Sequence, residues 1–294
     1  MTDPTPTRWA IDLSVILNAT KGADRFPVDI PELALEYSRI RFPEDPILKV
    51  EGDDLPGFDG ALVKATGNKR GWGILYNKGF TSRGRINFTL GHEFGHYLLH
   101  RAKYPEGFHC KSDDVVRWDS EYGQVEYQAN VFAANILMPL DDYRRQIPQH
   151  TRVELDMISA CAERYRVSLI AAALRWIEYT TRRAVLVCST DGFILWAKSS
   201  TSALKTGAFF RTSRGPIEVP PELLVAKQDM LIDNRLGVMH PAGVWFRDPV
   251  HEMTIFAEQY EFVISLLLLE DAERSFDPEE EELDAYDVLS GNRP

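Results

Sequence analysis

The run Thr89-Leu90-Gly91-His92-Glu93-Phe94-Gly95-His96-Tyr97-Leu98-Leu99-His100 holds H-E-x-x-H at His92, Glu93 and His96. On an α-helix, residues four apart lie one above the other on a single face, so two imidazoles with this spacing can bind one ion. The carboxylate that follows the first histidine can then act as general base toward a water on that ion. The pattern therefore points to a metal-dependent hydrolase. The bland alternative is an amphipathic helix with two surface histidines and a glutamate. Context speaks against it. Phe88, Leu90, Leu98 and Leu99 are apolar, and no proline interrupts the motif. Gly91 and Gly95 each cost a helix roughly 1 kcal/mol relative to alanine. Two of them in one helix point to the close approach of another backbone or of a substrate.

A third ligand is expected at Glu126. In the segment from Glu126 to Pro139, Ala129, Phe132, Ala133, Ile136 and Leu137 recur with helical spacing, and Pro139 ends the pattern. Glu126 lies three residues before Ala129 and falls on the same inward face. A buried carboxylate is costly unless it is paired or bound to a metal. The competing reading places Glu126 at a frayed helix start, where the helix dipole tolerates an acid. Asn130, four residues on, could hydrogen-bond a ligand from behind. His100 is four residues beyond His96, but three histidines on successive turns of a straight helix diverge from one ion. The residues after His96 also lack the extended zinc pattern that ends in a third histidine. His109, Tyr122 and Tyr127 remain as contacts for substrate or oxyanion.

Two imidazoles and one carboxylate leave a divalent ion positively charged, with one open position. Zn2+ suits such a set, with Mn2+ as the alternative. The chemistry is hydrolysis of a peptide or another amide, with Glu93 carrying the proton to the leaving amine.

Other elements frame this site. Residues 1–24 read as a loose lead with one apolar stretch, Trp9 to Leu17, and residues 30–39 as a helix. The strand at residues 73–76 is either a sheet edge able to add an extended substrate or an ordinary strand. Residues 104–122 read as a loop forming a flap or rim over the cleft. Residues 140–181 read as helices, with a turn at Arg166-Val167-Ser168 that resembles a helix-turn-helix. Its arginines are balanced by acids, and its second helix offers little for base edges, so packing is favoured over DNA binding. Ala184-Val185-Leu186-Val187-Cys188, Phe193-Ile194-Leu195-Trp196-Ala197 and the run from Val263 to Leu269 read as strands, with Asp191-Gly192 as a hairpin turn. His240 and His251 have no partner motif and read as ordinary surface or core residues.

The 294 residues carry a net charge of -11, which argues against nucleic acid as the main partner. Three scattered cysteines suit a reducing compartment. No apolar run is long enough to span a bilayer, and the N-terminus lacks the apolar core of a signal peptide, so a cytoplasmic protein is expected. The acidic tail from Asp277 reads as disordered.

The active-helix run and the segment from Glu126 to Pro139 resemble the ImmA/IrrE family of bacterial metallopeptidases. So do Phe26-Pro27-Val28-Asp29-Ile30, Gly71-Trp72-Gly73-Ile74-Leu75-Tyr76-Asn77 and the lead Arg85-Ile86-Asn87-Phe88. The resemblance covers about residues 25–140. Phe94 stands where the family more often has an aliphatic residue. The resemblance implies a gluzincin-like peptidase domain (1–139). The residue patterns add a helix-turn-helix-like segment (140–181), a small β-rich C-terminal domain (182–276), where family members can carry a sensor-like one, and the acidic tail (277–294), an α+β fold in all. The resemblance implies His92, His96 and Glu126 as metal ligands and Glu93 as the catalytic acid/base. It further implies a partner substrate, a helix-turn-helix repressor whose cleavage switches on a stress or mobile-element response. The opposing reading is a non-catalytic regulator or toxin–antitoxin component with a structural metal site. Glu93 speaks against it, because a structural site needs no general base.

Overall fold

The computed structural model describes residues 4–67, 69–105, 107–110, 121–220, 234–257 and 262–271. The acidic tail from Asp277 and the central part of the 104–122 segment lie outside the described residues.

The chain starts with a helix, not a loose lead. α1 spans Pro6–Lys21. Thr5 caps it by accepting from the Arg8 N–H, and Pro6 occupies the first turn, where a missing N–H costs nothing. Ala10, Leu13 and Leu17 form a helical stripe and are buried. That stripe is the physical reason the apolar stretch folds as a helix. α2 (Ile30–Arg41) is capped by Asp29, whose carboxylate accepts from the Glu32 N–H.

Four strands follow in the first half: β1 (Ile47–Asp53), β2 (Gly60–Lys64), β3 (Trp72–Asn77) and, after helix α3 (Arg83–His100), β4 (Gly107–Cys110). Their order is β1-β3-β2-β4. β1 runs parallel to β3, and β2 is antiparallel to both β3 and β4. The strand at residues 73–76, open to reading as an edge or as an ordinary strand, is internal, paired on both sides. The edges are β1 and β4, and β4 occupies part of the segment read as a flap.

α4 spans Glu121–Leu137, followed by α5 (Leu140–Gln146), α6 (Leu155–Tyr165) and α7 (Leu169–Tyr179). Arg166 turns the chain between α6 and α7 in a left-handed conformation, and Ser168 caps α7 by accepting from the Ala171 N–H. Two arginines of this pair are engaged internally. Arg164 donates to Asp142, and the buried Arg175 donates to the Met138 carbonyl and to Asn135 at the end of α4.

β5 (Ala184–Thr190), β6 (Phe193–Ser199), helix α8 (Thr201–Leu204), β7 (Ile217–Glu218), β8 (Asn234–His240), β9 (Val250–Ala257) and β10 (Phe262–Leu269) complete the described chain. The strands form an antiparallel sheet ordered β7-β6-β5-β10-β9-β8. Asp191 and Gly192 both take positive φ in the β5–β6 turn, as a primed two-residue hairpin requires. The unbroken apolar run of β10 has a simple cause. Ile264, Leu266 and Leu268 join the main core with α7, whereas Leu267 and Leu269 join a second cluster around Trp245 and Val250. A strand buried on both faces needs no polar alternation.

Because α1 buries its stripe in the same core as Phe132 and Ile136 of α4, Leu13→Ala is expected to lower stability by about 2–5 kcal/mol. Urea denaturation would read this. A change near zero would mean that α1 is not part of the cooperative fold.

Candidate active site

The site is built where α3 crosses α4. Gly95 allows the approach, whereas at Gly91 an added Cβ would meet only ordinary van der Waals contact. A Cβ on Gly95 would lie 3.0 Å from a ring carbon of Phe132 and 3.3 Å from the Ala129 Cα, and one on Gly91 would lie 3.4 Å from the Ala133 Cβ. The close neighbour is therefore the backbone of α4. Phe94 packs edge-on against Phe132 at a ring separation of 5.7 Å and is fully buried.

This packing brings the sequence-expected side chains together. His92 Nε2 and His96 Nε2 lie 2.8 Å apart. Glu126 Oε2 is 3.1 Å from His92 Nε2, and Glu126 Oε1 is 3.4 Å from His96 Nε2. All three residues are buried. α4 begins five residues before Glu126, so this carboxylate sits inside the helix and not at its frayed start. Among the described residues, His92, His96 and Glu126 form the one group that could hold a metal ion. Atoms sharing a single ion at about 2 Å each stand roughly 3 Å apart, and two imidazole nitrogens with a carboxylate oxygen are ordinary ligands for it.

The nitrogens that face away are also held. Asn130 Oδ1 lies 2.9 Å from His92 Nδ1. An amide oxygen can only accept, so His92 Nδ1 carries a proton and Nε2 is the nitrogen that faces Glu126 and His96. A longer chain holds the second histidine: His100 Nε2 lies 3.0 Å from Gln128 Oε1, and His100 Nδ1 lies 3.0 Å from His96 Nδ1. His100 donates to Gln128, accepts from His96 Nδ1–H, and leaves the His96 Nε2 lone pair facing inward. His100 thus does not converge on the site but stands behind it. The sequence signals for this were present, a histidine four residues past His96 and an amide two residues past Glu126. The distance between the helices was not.

Charges in the site are strongly coupled. Burial alone would lower the His92 pKa, but the Glu126 hydrogen bond and the Glu93 and Glu126 charges outweigh it, and the net shift is upward. His96 is pushed down to about 3 by burial and by the His92 charge, against the opposing pull of Glu126. Burial would raise Glu126, yet its hydrogen bonds to both histidines hold it well below the ordinary carboxylate range. Two of the three groups are thus held in the unprotonated form a metal requires.

Glu93 is fully buried. It sits beneath the start of β2: a Cβ on Gly60 would lie 2.7 Å from Glu93 Oε1 and 2.6 Å from the Thr89 methyl. Gly60 is therefore the residue that lets the sheet pass over the carboxylate. Nothing in the sequence singled it out, because the contact crosses between elements distant along the chain. Tyr127 is half exposed and is not among the grouped residues. For His109 and Tyr122 the description extends to the backbone.

Asn130→Ala is expected to weaken divalent-metal binding about 10–100-fold with the fold retained, as read by competition with a chelating dye. The pH dependence has a defined sign. In the metal-free fold the raised His92 contributes stability below the ordinary imidazole value, and this is lost as pH rises through its elevated pKa. Metal binding needs the same nitrogen unprotonated. The rise in melting temperature on adding Zn2+ should therefore be small at pH 5 and grow toward pH 8. A pH-independent rise would place the metal elsewhere.

Residues 44–176, just under half of the chain, match the IrrE N-terminal-like domain of the Peptidase_M78 family. The matched stretch includes both sheet edges, α3 and α4. No curated protein matches the chain.

Proposed function

We propose that this chain, whose residues 44–176 match the IrrE N-terminal-like domain of the Peptidase_M78 family, is a metallopeptidase of the ImmA/IrrE type, a zinc-dependent endopeptidase that cuts a helix-turn-helix repressor. The convergence of His92, His96 and Glu126 beside a buried Glu93 carries the reading. His92, His96 and Glu126 would hold the ion, with Mn2+ as the alternative to zinc. Bound there, the ion supplies Lewis acidity to a water and to the scissile carbonyl.

The chain's own residues do the rest. Glu93 takes a proton from the attacking water and delivers it to the leaving amine nitrogen. Asn130 and the His100–Gln128 pair hold the imidazoles in the tautomer that leaves Nε2 free. Thr89 and Gly60 keep the Glu93 carboxylate in place. The acidic chain, at -11, suits a basic DNA-binding partner as substrate. Release of that repressor's genes would serve a stress or mobile-element response. A structural metal site would not need a buried carboxylate beside the ligands. Among the described residues no helix is long and apolar enough to cross a membrane.

The test is co-expression with the helix-turn-helix protein encoded beside it, comparing wild type with Glu93→Gln. Cleavage of the partner by wild type, with a loss of at least 100-fold in the variant and metal content unchanged, is expected. Equal cleavage by both would sink the assignment.

A further inference from the structure

We propose that a cleft beside the catalytic residues is the specificity pocket of this peptidase and that it takes a large aliphatic or aromatic side chain next to the scissile bond. The inference rests on the peptidase reading above and names the substrate class for that site.

The cleft has a volume of about 340 Å3 and is walled by Phe88, Thr89, Val167, Ile170, Ala171 and Phe262. Two of these residues lie beside the site. The Phe88 ring lies 6.4 Å from the His92 imidazole, centre to centre. Thr89 shares with Glu93 the space beneath Gly60. The cleft therefore opens one turn of α3 before the reacting groups, within reach of a residue flanking the bond they would cut. Its other walls come from the turn before α7, the first turn of α7 and the start of β10.

The pocket width is set by backbone contact. A Cβ on Gly84 would meet the Ser168 N and the Val167 carbonyl carbon at 2.8 Å. The α6–α7 turn is thus seated directly on the first turn of α3 and cannot slide inward. One side of the cleft is polar: Arg85 donates to Asp59 through two nitrogens, at 2.8 and 3.2 Å, and the Arg85 guanidinium also lies over the Phe80 ring at 3.9 Å. Because these charges satisfy each other, the pocket does not offer a free charge to a charged side chain. Ser82, Thr89 and Ser168 add hydroxyls to the lining, while Phe88, Val167, Ile170, Ala171 and Phe262 present apolar surface, which discriminates by size, roughly 10–200-fold per methylene. This gives the α6–α7 pair and β10 a role in recognition by a site whose chemistry lies on α3 and α4.

The test is the cleavage profile of the metal-loaded full chain on a proteome-derived peptide library, with cuts read by mass spectrometry. Wild type, Ala171→Phe and Ile170→Ala are compared. Wild type should prefer Leu, Ile, Met or Phe at one position beside the cut. Ala171→Phe should lower the ratio of kcat/KM for Leu over Ala at that position at least tenfold. Ile170→Ala should shift the preference toward Phe and Trp, and it keeps the test valid if added bulk disturbs α7. A wild-type profile without an apolar preference, or one unchanged in both variants, overturns the pocket and leaves the peptidase reading standing. If wild type cuts no library peptide, the comparison is made on the co-expressed repressor, with the residues flanking its cut replaced by Ala. If that protein also stays intact, the peptidase reading fails and this inference fails with it.

Discussion

Placing a carboxylate and two imidazoles side by side away from water costs several kcal/mol per uncompensated charge, and the contact between α3 and α4 imposes that cost on this protein. The contact is close because Gly95 on one helix faces Ala129 on the other, with Gly91 against Ala133 and with Phe94 and Phe132 interlocked beside them. Once the helices meet at that distance, His92, His96 and Glu126 have no room to avoid one another. A proton held between His92 and Glu126 offsets part of the cost in the metal-free protein, and a divalent cation would offset more. The remainder of the domain serves to hold this one contact. α1 buries its apolar stripe in the core shared with α4, and Arg175 on α7 fastens the end of α4 through Met138 and Asn135.

A second consequence is the order around the imidazoles. Each histidine has two nitrogens, and only one can face a metal. Asn130 decides the matter for His92, and His100 with Gln128 decides it for His96. These supports come from the two helices that supply the ligands, so packing the helices also selects the tautomers. The same economy holds on the other side of α3, where Gly60 admits β2 over Glu93 and Gly84 admits the α6–α7 turn. Gly60, Gly84 and Gly95 thus set the distances from α3 to its neighbours.

The family match over residues 44–176 ends inside α7, yet the core does not stop there. Ala184, Leu186, Leu266 and Leu268 pack into the same cluster as Trp176 and Ile177. The outer faces of β5 and β10 close a separate cluster around Trp245. The second sheet is thus joined to the helices through one face and has its own core on the other.

Much of this was legible in the sequence because it depends on short-range periodicity. The H-E-x-x-H spacing, the inward face of Glu126, the Ser168 cap, the Asp191-Gly192 turn and the strands around residues 184, 193 and 263 all follow from patterns a few residues long. Residues 1–24 read as loose from sequence because their stripe of Ala10, Leu13 and Leu17 is short, and the core shared with α4 is what makes the helix worth forming. Residues 73–76 were open to reading as an edge because pairing on both sides depends on β1 and β2, which no local pattern specifies. His100 looked irrelevant because, on one helix, it cannot reach an ion. Across two helices it reaches Gln128 and so acts on His96. The chain by itself determined which residues could do chemistry. The tertiary structure decided which atoms of those residues face one another, because that depends on backbone separations set by glycines and alanines on elements far apart in the chain.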